Sequence, residues 1–117
     1  MIKLGEIAEW ILANRRGKAF VRYTLAEILD ELKRCSDDRT MVVMTDDNEC
    51  IVGVATGKVN VDRDKLFVYN VLTTKPKVAR RMIQWLQTNF PGHTLEGMVR
   101  GTRFMQFVNL NKLANRL

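Results

Sequence analysis

The sequence predicts one α+β domain, with mixed α/β character, built on a mixed sheet. Three observations carry this. Apolar residues recur at helical spacing twice before residue 36, β-rich runs separated by short polar turns follow to residue 72, and a further helical pattern then precedes one more β-rich segment. The expected order is two N-terminal helices, an antiparallel meander, and a helical crossover to a parallel strand. A chain of 117 residues with 46% hydrophobic content suits a single core spanning 1–117.

Leu4, Ile7, Ala8 and Ile11 define one face of a first helix, and Asn14-Arg15-Arg16-Gly17 supplies its stop, with Gly17 suited to a left-handed cap. Thr24-Leu25-Ala26-Glu27 has the form of a capping box. The stripe Leu25, Ile28, Leu29 and Leu32 continues that second helix to about Cys35, where Ser36-Asp37-Asp38-Arg39 reads as a turn. Thr40–Thr45 and Cys50 to about Val59 form a hairpin around Asp46-Asp47-Asn48-Glu49. Lys65–Leu72 is nearly continuous in β-formers and reads as a central strand, with Phe67 and Val71 in the core beside Ile51, Val54, Ile83 and Leu86. Pro76 suits the first turn of a helix carrying Val78, Ala79, Met82, Ile83, Leu86 and Phe90, and Pro91-Gly92 ends it. Thr94–Val99 returns as a strand parallel to the third, because a helix lies between them. Phe104, Phe107 and Val108 suit a short helix, which Leu110, Leu113, Ala114 and Leu117 continue or follow with another.

The net charge of +6 is unevenly spread. Residues 1–74 hold eleven Lys or Arg against twelve Asp or Glu, whereas residues 75–117 hold eight against the single Glu96, a local excess of +7. Such a third suits a polyanion, and Lys75, Lys77, Arg80, Arg81, Arg100 and Arg103 are the candidate contacts. No aromatic ring is interleaved with them, so base recognition is not expected. No apolar run reaches the roughly 20 residues of a membrane span, and the start lacks a signal-peptide stretch, which predicts a cytoplasmic protein without a membrane partner. Cys35 and Cys50 belong to no Cys-x-x-Cys pair and read as free thiols. His93 has no Cys or carboxylate at ligand spacing, so no metal is expected, and Ser36 has no base beside it for a catalytic triad.

Three stretches carry a resemblance. They are Ile51-Val52-Gly53-Val54-Ala55-Thr56-Gly57, Leu66-Phe67-Val68-Tyr69-Asn70-Val71-Leu72 and Val99-Arg100-Gly101-Thr102-Arg103-Phe104-Met105. In the order helix, helix, strand, strand, strand, helix, strand, helix, the chain resembles the GNAT family of acyl-CoA N-acyltransferases over roughly Leu4 to Phe107. The resemblance implies acetyl-CoA as cofactor and acetylation of an amine, with Val71, Leu72, Thr73, Lys75, Lys77 and Arg80 at the cofactor.

In that family a Gly-rich loop opens the helix after the cofactor strand and brings bare backbone N–H groups to the pyrophosphate. The matching stretch, Thr73 to Arg80, has no Gly and one Pro, so charge must do more of the phosphate binding, and weak or absent acetyl-CoA binding is the expectation. Glu96 is the candidate general base. The strand itself offers only Tyr69 and Asn70, and the last helix, where the family carries a Tyr acid, offers Phe104 and Phe107. The alternative is a catalytically inactive protein of the same fold that acts through its basic third on nucleic acid or in assembly with another protein. The resemblance also implies a phage origin, since small proteins of this kind are encoded by bacteriophages, some of them virion-associated, and a host cytoplasm or a virion is then the expected location.

Overall fold

The computed structural model describes residues 2–15, 19–60, 64–100 and 105–109, of which 76, 97–100 and 105–109 are described by their backbone. Among these residues lie three helices and five strands in the order α1 (Leu4–Asn14), α2 (Leu25–Asp38), β1 (Met41–Thr45), β2 (Ile51–Asn60), β3 (Lys65–Thr73), α3 (Pro76–Asn89), β4 (Thr94–Arg100) and β5 (Met105–Asn109). The strands form one sheet in sequence order. β1, β2 and β3 run antiparallel, and β3 and β4 are parallel across the α3 crossover. β4 and β5 are antiparallel.

The sheet divides the core into two layers. On one face Val42, Ala55, Leu66, Val68 and Leu95 pack under Val78, Met82, Ile83 and Leu86 of α3. On the other, Val54 and Leu72 meet Ile7, Ala8 and Ile11 of α1, Ile28 and Leu32 of α2, and Phe20 between the two helices. The alternation of β2, with Val54 on one face and Ala55 on the other, is what lets one strand serve both layers.

The capping box at α2 forms as its sequence requires. Thr24 Oγ1 accepts from the Glu27 N–H at 3.2 Å, and the Thr24 N–H donates to Glu27 Oε1 at 3.1 Å. Ser36, Asp37 and Asp38 continue this helix rather than turning. Arg34 pairs with Glu31 at 2.8 Å and Asp38 at 3.4 Å across the last turns, and Arg39, at φ 60°, closes the helix by donating its N–H to the Cys35 and Ser36 carbonyls. Leu25, at the first position of α2, is exposed instead of joining the stripe. α1 ends on an extended Arg15, whose guanidinium donates to the carbonyls of Phe20 and Tyr23, and the Gly17 cap falls outside the described residues.

Met105–Asn109 is a strand where a helix is expected from Phe104, Phe107 and Val108. The apolar residues of this five-residue run, Met105, Phe107 and Val108, are too few to separate a period of two from one of 3.6, and pairing along Glu96–Arg100 satisfies the far edge of β4. Phe104 and residues 110–117 lie outside the described residues.

Candidate functional site: the cleft between β3 and β4

β3 and β4 part company halfway. Lys65–Val68 pair with Thr94–Gly97, and the pairing stops there. Among the described residues, β3 from Tyr69 to Thr73 pairs with β2 alone, and the end of β4 pairs with β5 alone. The break coincides with a β-bulge. Thr56 opposes Asn70 and Gly57 opposes Val68, so Tyr69 is the extra residue of β3. A bulge shifts the side-chain alternation by one, and the packing shows it: Leu66 and Val68 enter the α3 layer, whereas Leu72 enters the α1/α2 layer.

Tyr69 and Val71 are consequently 50% and 40% exposed, although they belong to the middle strand of five. The expectation that Val71 is a core residue is therefore corrected, and Phe67 is only half-buried, its ring stacked at 6.4 Å on that of Tyr69. Of the other expected core residues, Val54, Ile83 and Leu86 are buried and Ile51 is half-buried.

The bulge is held by a buried polar network that sequence reasoning did not single out. Asn70 Oδ1 accepts the Phe20 N–H at 2.9 Å, and its Nδ2 donates to Thr56 Oγ1 at 3.1 Å. Phe20 and Thr56 are fully buried and Asn70 is nearly so. Phe20 sits at φ 54°, a left-handed conformation unusual for an aromatic residue, and its ring meets Tyr23 edge-on at 5.8 Å. Asn70 thus fastens the segment between α1 and α2 beside the open part of β3. The polar pair Tyr69-Asn70 inside an otherwise apolar run is the only trace of this in the sequence.

At the end of the cleft α3 begins. Lys75 is its N-cap, without a side-chain cap bond, and Pro76 occupies the first turn, where a missing N–H breaks no intrahelical bond. The Val78 N–H donates to the Lys75 carbonyl at 3.1 Å. Lys75, Lys77, Arg80 and Arg81 are all exposed, and the first turn carries no acidic residue. Gly53 of β2 allows this helix to lie close: a Cβ there would stand 2.7 Å from Val78 Cγ1 and from Met82 Sδ.

Leu72 is buried and Thr73 half-buried, both on the open part of β3. Arg100 ends β4 at the end of the sheet where Thr73 ends β3, as parallel strands require. The Arg100 side chain and the whole of Arg103 fall outside the described residues, so the sixfold basic cluster is seen only in its four α3 members.

Glu96 lies in the paired half of β4, opposite Phe67, and its carboxylate is held by Lys65 at 2.8 Å. It is engaged in an ion pair away from the open part of the cleft. Cys35 is buried and Cys50 exposed. His93 packs edge-on against Phe90 at 5.7 Å, and among the described residues no group of three or more His, Cys, Asp or Glu gathers as for a metal. No helix among them is long and apolar enough to cross a membrane. Comparison with known protein families finds no match to this chain, and no curated protein matches it.

Proposed function

We propose that this chain is a GNAT-fold domain that holds an acyl-CoA in the cleft between β3 and β4. The observation that carries the proposal is the loss of pairing after Val68 and Gly97, at a bulge, beside the start of α3. An open strand edge offers N–H and C=O groups to an extended amide-bearing chain such as pantetheine. Here that edge is Tyr69–Thr73, with Val71 and Tyr69 exposed along it. The start of α3 favours anions through its unpaired N–H groups and its dipole, and Lys75, Lys77 and Arg80 add full charges where the phosphates would lie. Since the loop has no Gly, charge replaces part of the close backbone approach, and modest affinity follows.

When bound, an acyl-CoA supplies an activated thioester, and an amine is the acceptor that the resemblance implies. Glu96, tied to Lys65, is not placed to take the proton of that amine. Tyr69, half-exposed at the bulge, presents a phenolic hydroxyl on the open strand. The alternative, a non-catalytic domain that binds nucleic acid or another polyanion, rests on the same four exposed cations.

Titrating the isotopically labelled chain with acetyl-CoA, followed by amide chemical shifts, tests the proposal. Shifts confined to Tyr69–Arg81 and weakened at least about tenfold by Lys77→Glu with Arg80→Glu are expected, a change of about 1.4 kcal/mol. No shift in that segment at about 5 mM acetyl-CoA would overturn it. Binding of an oligonucleotide alone, lost steeply as salt rises, would favour the polyanion reading instead.

A further inference from the structure

We infer that two copies of this chain associate through β1, extending the sheet across a two-fold axis. β1 ends the strand order, and among the described residues nothing pairs with its outer side. Which of its backbone groups face outward follows from two hydrogen bonds. The Thr40 carbonyl accepts from the Gly57 N–H at 3.0 Å, and the Asp46 N–H donates to the Cys50 carbonyl at 2.9 Å, so the even-numbered residues turn toward β2. By alternation Met41, Val43 and Thr45 turn their N–H and C=O groups away from it. The register irregularity near Thr45 leaves β1 itself continuous, because the extra residue belongs to β2.

The sequence of this short edge strand carries none of the side-chain devices that usually keep an edge single. Met41-Val42-Val43-Met44-Thr45 contains no charge, no Pro and no Gly, whereas edges that remain single generally carry a charge, a Pro or a bulge. The flanking charges favour a second copy over an unrelated strand. Antiparallel self-pairing centred on Val43 sets Met41 against Thr45 of the second copy, and the same register sets Arg39 against its Asp47. Both residues are exposed and neither is in an ion pair among the described residues. By symmetry that contact occurs twice. At the Met41 end of the strand a groove of about 470 Å³, lined by Asp38, Arg39, Met41, Trp85 and Phe90, stands where the turn after β1 of the second copy arrives. Trp85 is 38% exposed on its wall, a large ring of the kind that anchors interfaces. This surface lies on β1, apart from the β3/β4 cleft, so the inference holds or fails independently of the acyl-CoA proposal.

Sedimentation velocity of the full chain from about 1 to 500 μM tests it, a range that brackets the affinities of small reversible interfaces. A concentration-dependent dimer is expected. Thr45→Pro removes an outward N–H and no bond to β2, and it should leave a monomer with an unchanged circular dichroism spectrum. Arg39→Asp or Asp47→Arg should weaken the dimer at least about tenfold, and the two together should restore it, because the charges are exchanged and not lost. A monomer throughout the range would overturn the inference. So would a dimer that all these variants leave intact, or a double reversal that fails to recover association.

Discussion

Replacing Asn70 is the sharpest test of how the bulge and the segment after α1 are joined. Asn70→Leu puts an apolar side chain of similar size in place of the amide and so removes the acceptor for the Phe20 N–H and the donor to Thr56 Oγ1. Phe20 is fully buried, and an unsatisfied buried amide costs about 1–3 kcal/mol. Losing the Thr56 bond adds about 0.5–1.5 kcal/mol, so the expected destabilisation is about 2–4 kcal/mol, a large share of a typical domain's 5–15 kcal/mol. Thr56→Val removes only the second bond and should cost about 1–2 kcal/mol. Combining the two should cost less than their sum, because the polar pair is then deleted whole, whereas the Phe20 penalty should persist. Urea unfolding gives these values, and hydrogen exchange at the Phe20 amide reports the local effect. A loss below about 1 kcal/mol for Asn70→Leu, or unchanged Phe20 exchange, would refute the view that Asn70 fastens this segment.

Two further outcomes follow from packing and burial. Gly57→Ala places a Cβ 2.5 Å from the Phe67 carbonyl oxygen, a backbone atom that cannot rotate aside, whereas at Gly53 the nearest atoms are the side-chain ends of Met82 and Val78. Thermal or urea unfolding should therefore show Gly57→Ala as the more damaging, at about 2–3 kcal/mol against about 1–2 kcal/mol, and a reversed order would contradict this account of the bulge. Burial pushes the Cys35 thiol up, while Cys50 is exposed. A thiol reagent should modify Cys50 at once and Cys35 only on unfolding. Because Cys35 stays protonated longer in the folded chain, its contribution to stability is full below the ordinary thiol value of about 8.5 and fades as pH rises from there. Cys35→Ala should flatten that alkaline decline.

How much of this was legible in the sequence depends on whether a signal was local. The α2 capping box, the β1/β2 hairpin and the crossover from β3 to β4 are each written in a few adjacent residues, and all three occur. The end of α2 was misread because Ser36-Asp37-Asp38 favours turns in isolation. Arg34 lies within reach of both Glu31 and Asp38 once the helix continues. The bulge was invisible for a different reason. Nothing in Phe67-Val68-Tyr69-Asn70-Val71 marks an extra residue, and strict alternation through that run assigns Val71 to the core. Only the register against Thr56 and Gly57 reveals the shift. β5 illustrates a third limit: a five-residue run supports either period, and its fate is decided by the edge available on β4.

The four cations of α3 stand in the one place where its own dipole disfavours them. α1 and α2 each carry an acidic residue in the first turn, Glu6 and Glu27, which complements the positive end of a helix. α3 has none there and instead places Lys75 at its N-cap and Lys77, Arg80 and Arg81 within its first two turns. In general a charge at the unfavourable end costs about 0.3–1 kcal/mol, and like charges three or four positions apart, as Lys77 is from Arg80 and Arg81, add repulsion of a few tenths. If solvation alone were required, the same residues would serve better at the other end of the helix, where the last turn contains no basic residue. An anion held between the helix start and the open edge of β3 would reverse both penalties at once. On the acyl-CoA proposal, the charge asymmetry of the sequence and the broken pairing of the sheet would be two parts of one arrangement, since each is unfavourable alone and one phosphate-bearing ligand would relieve both.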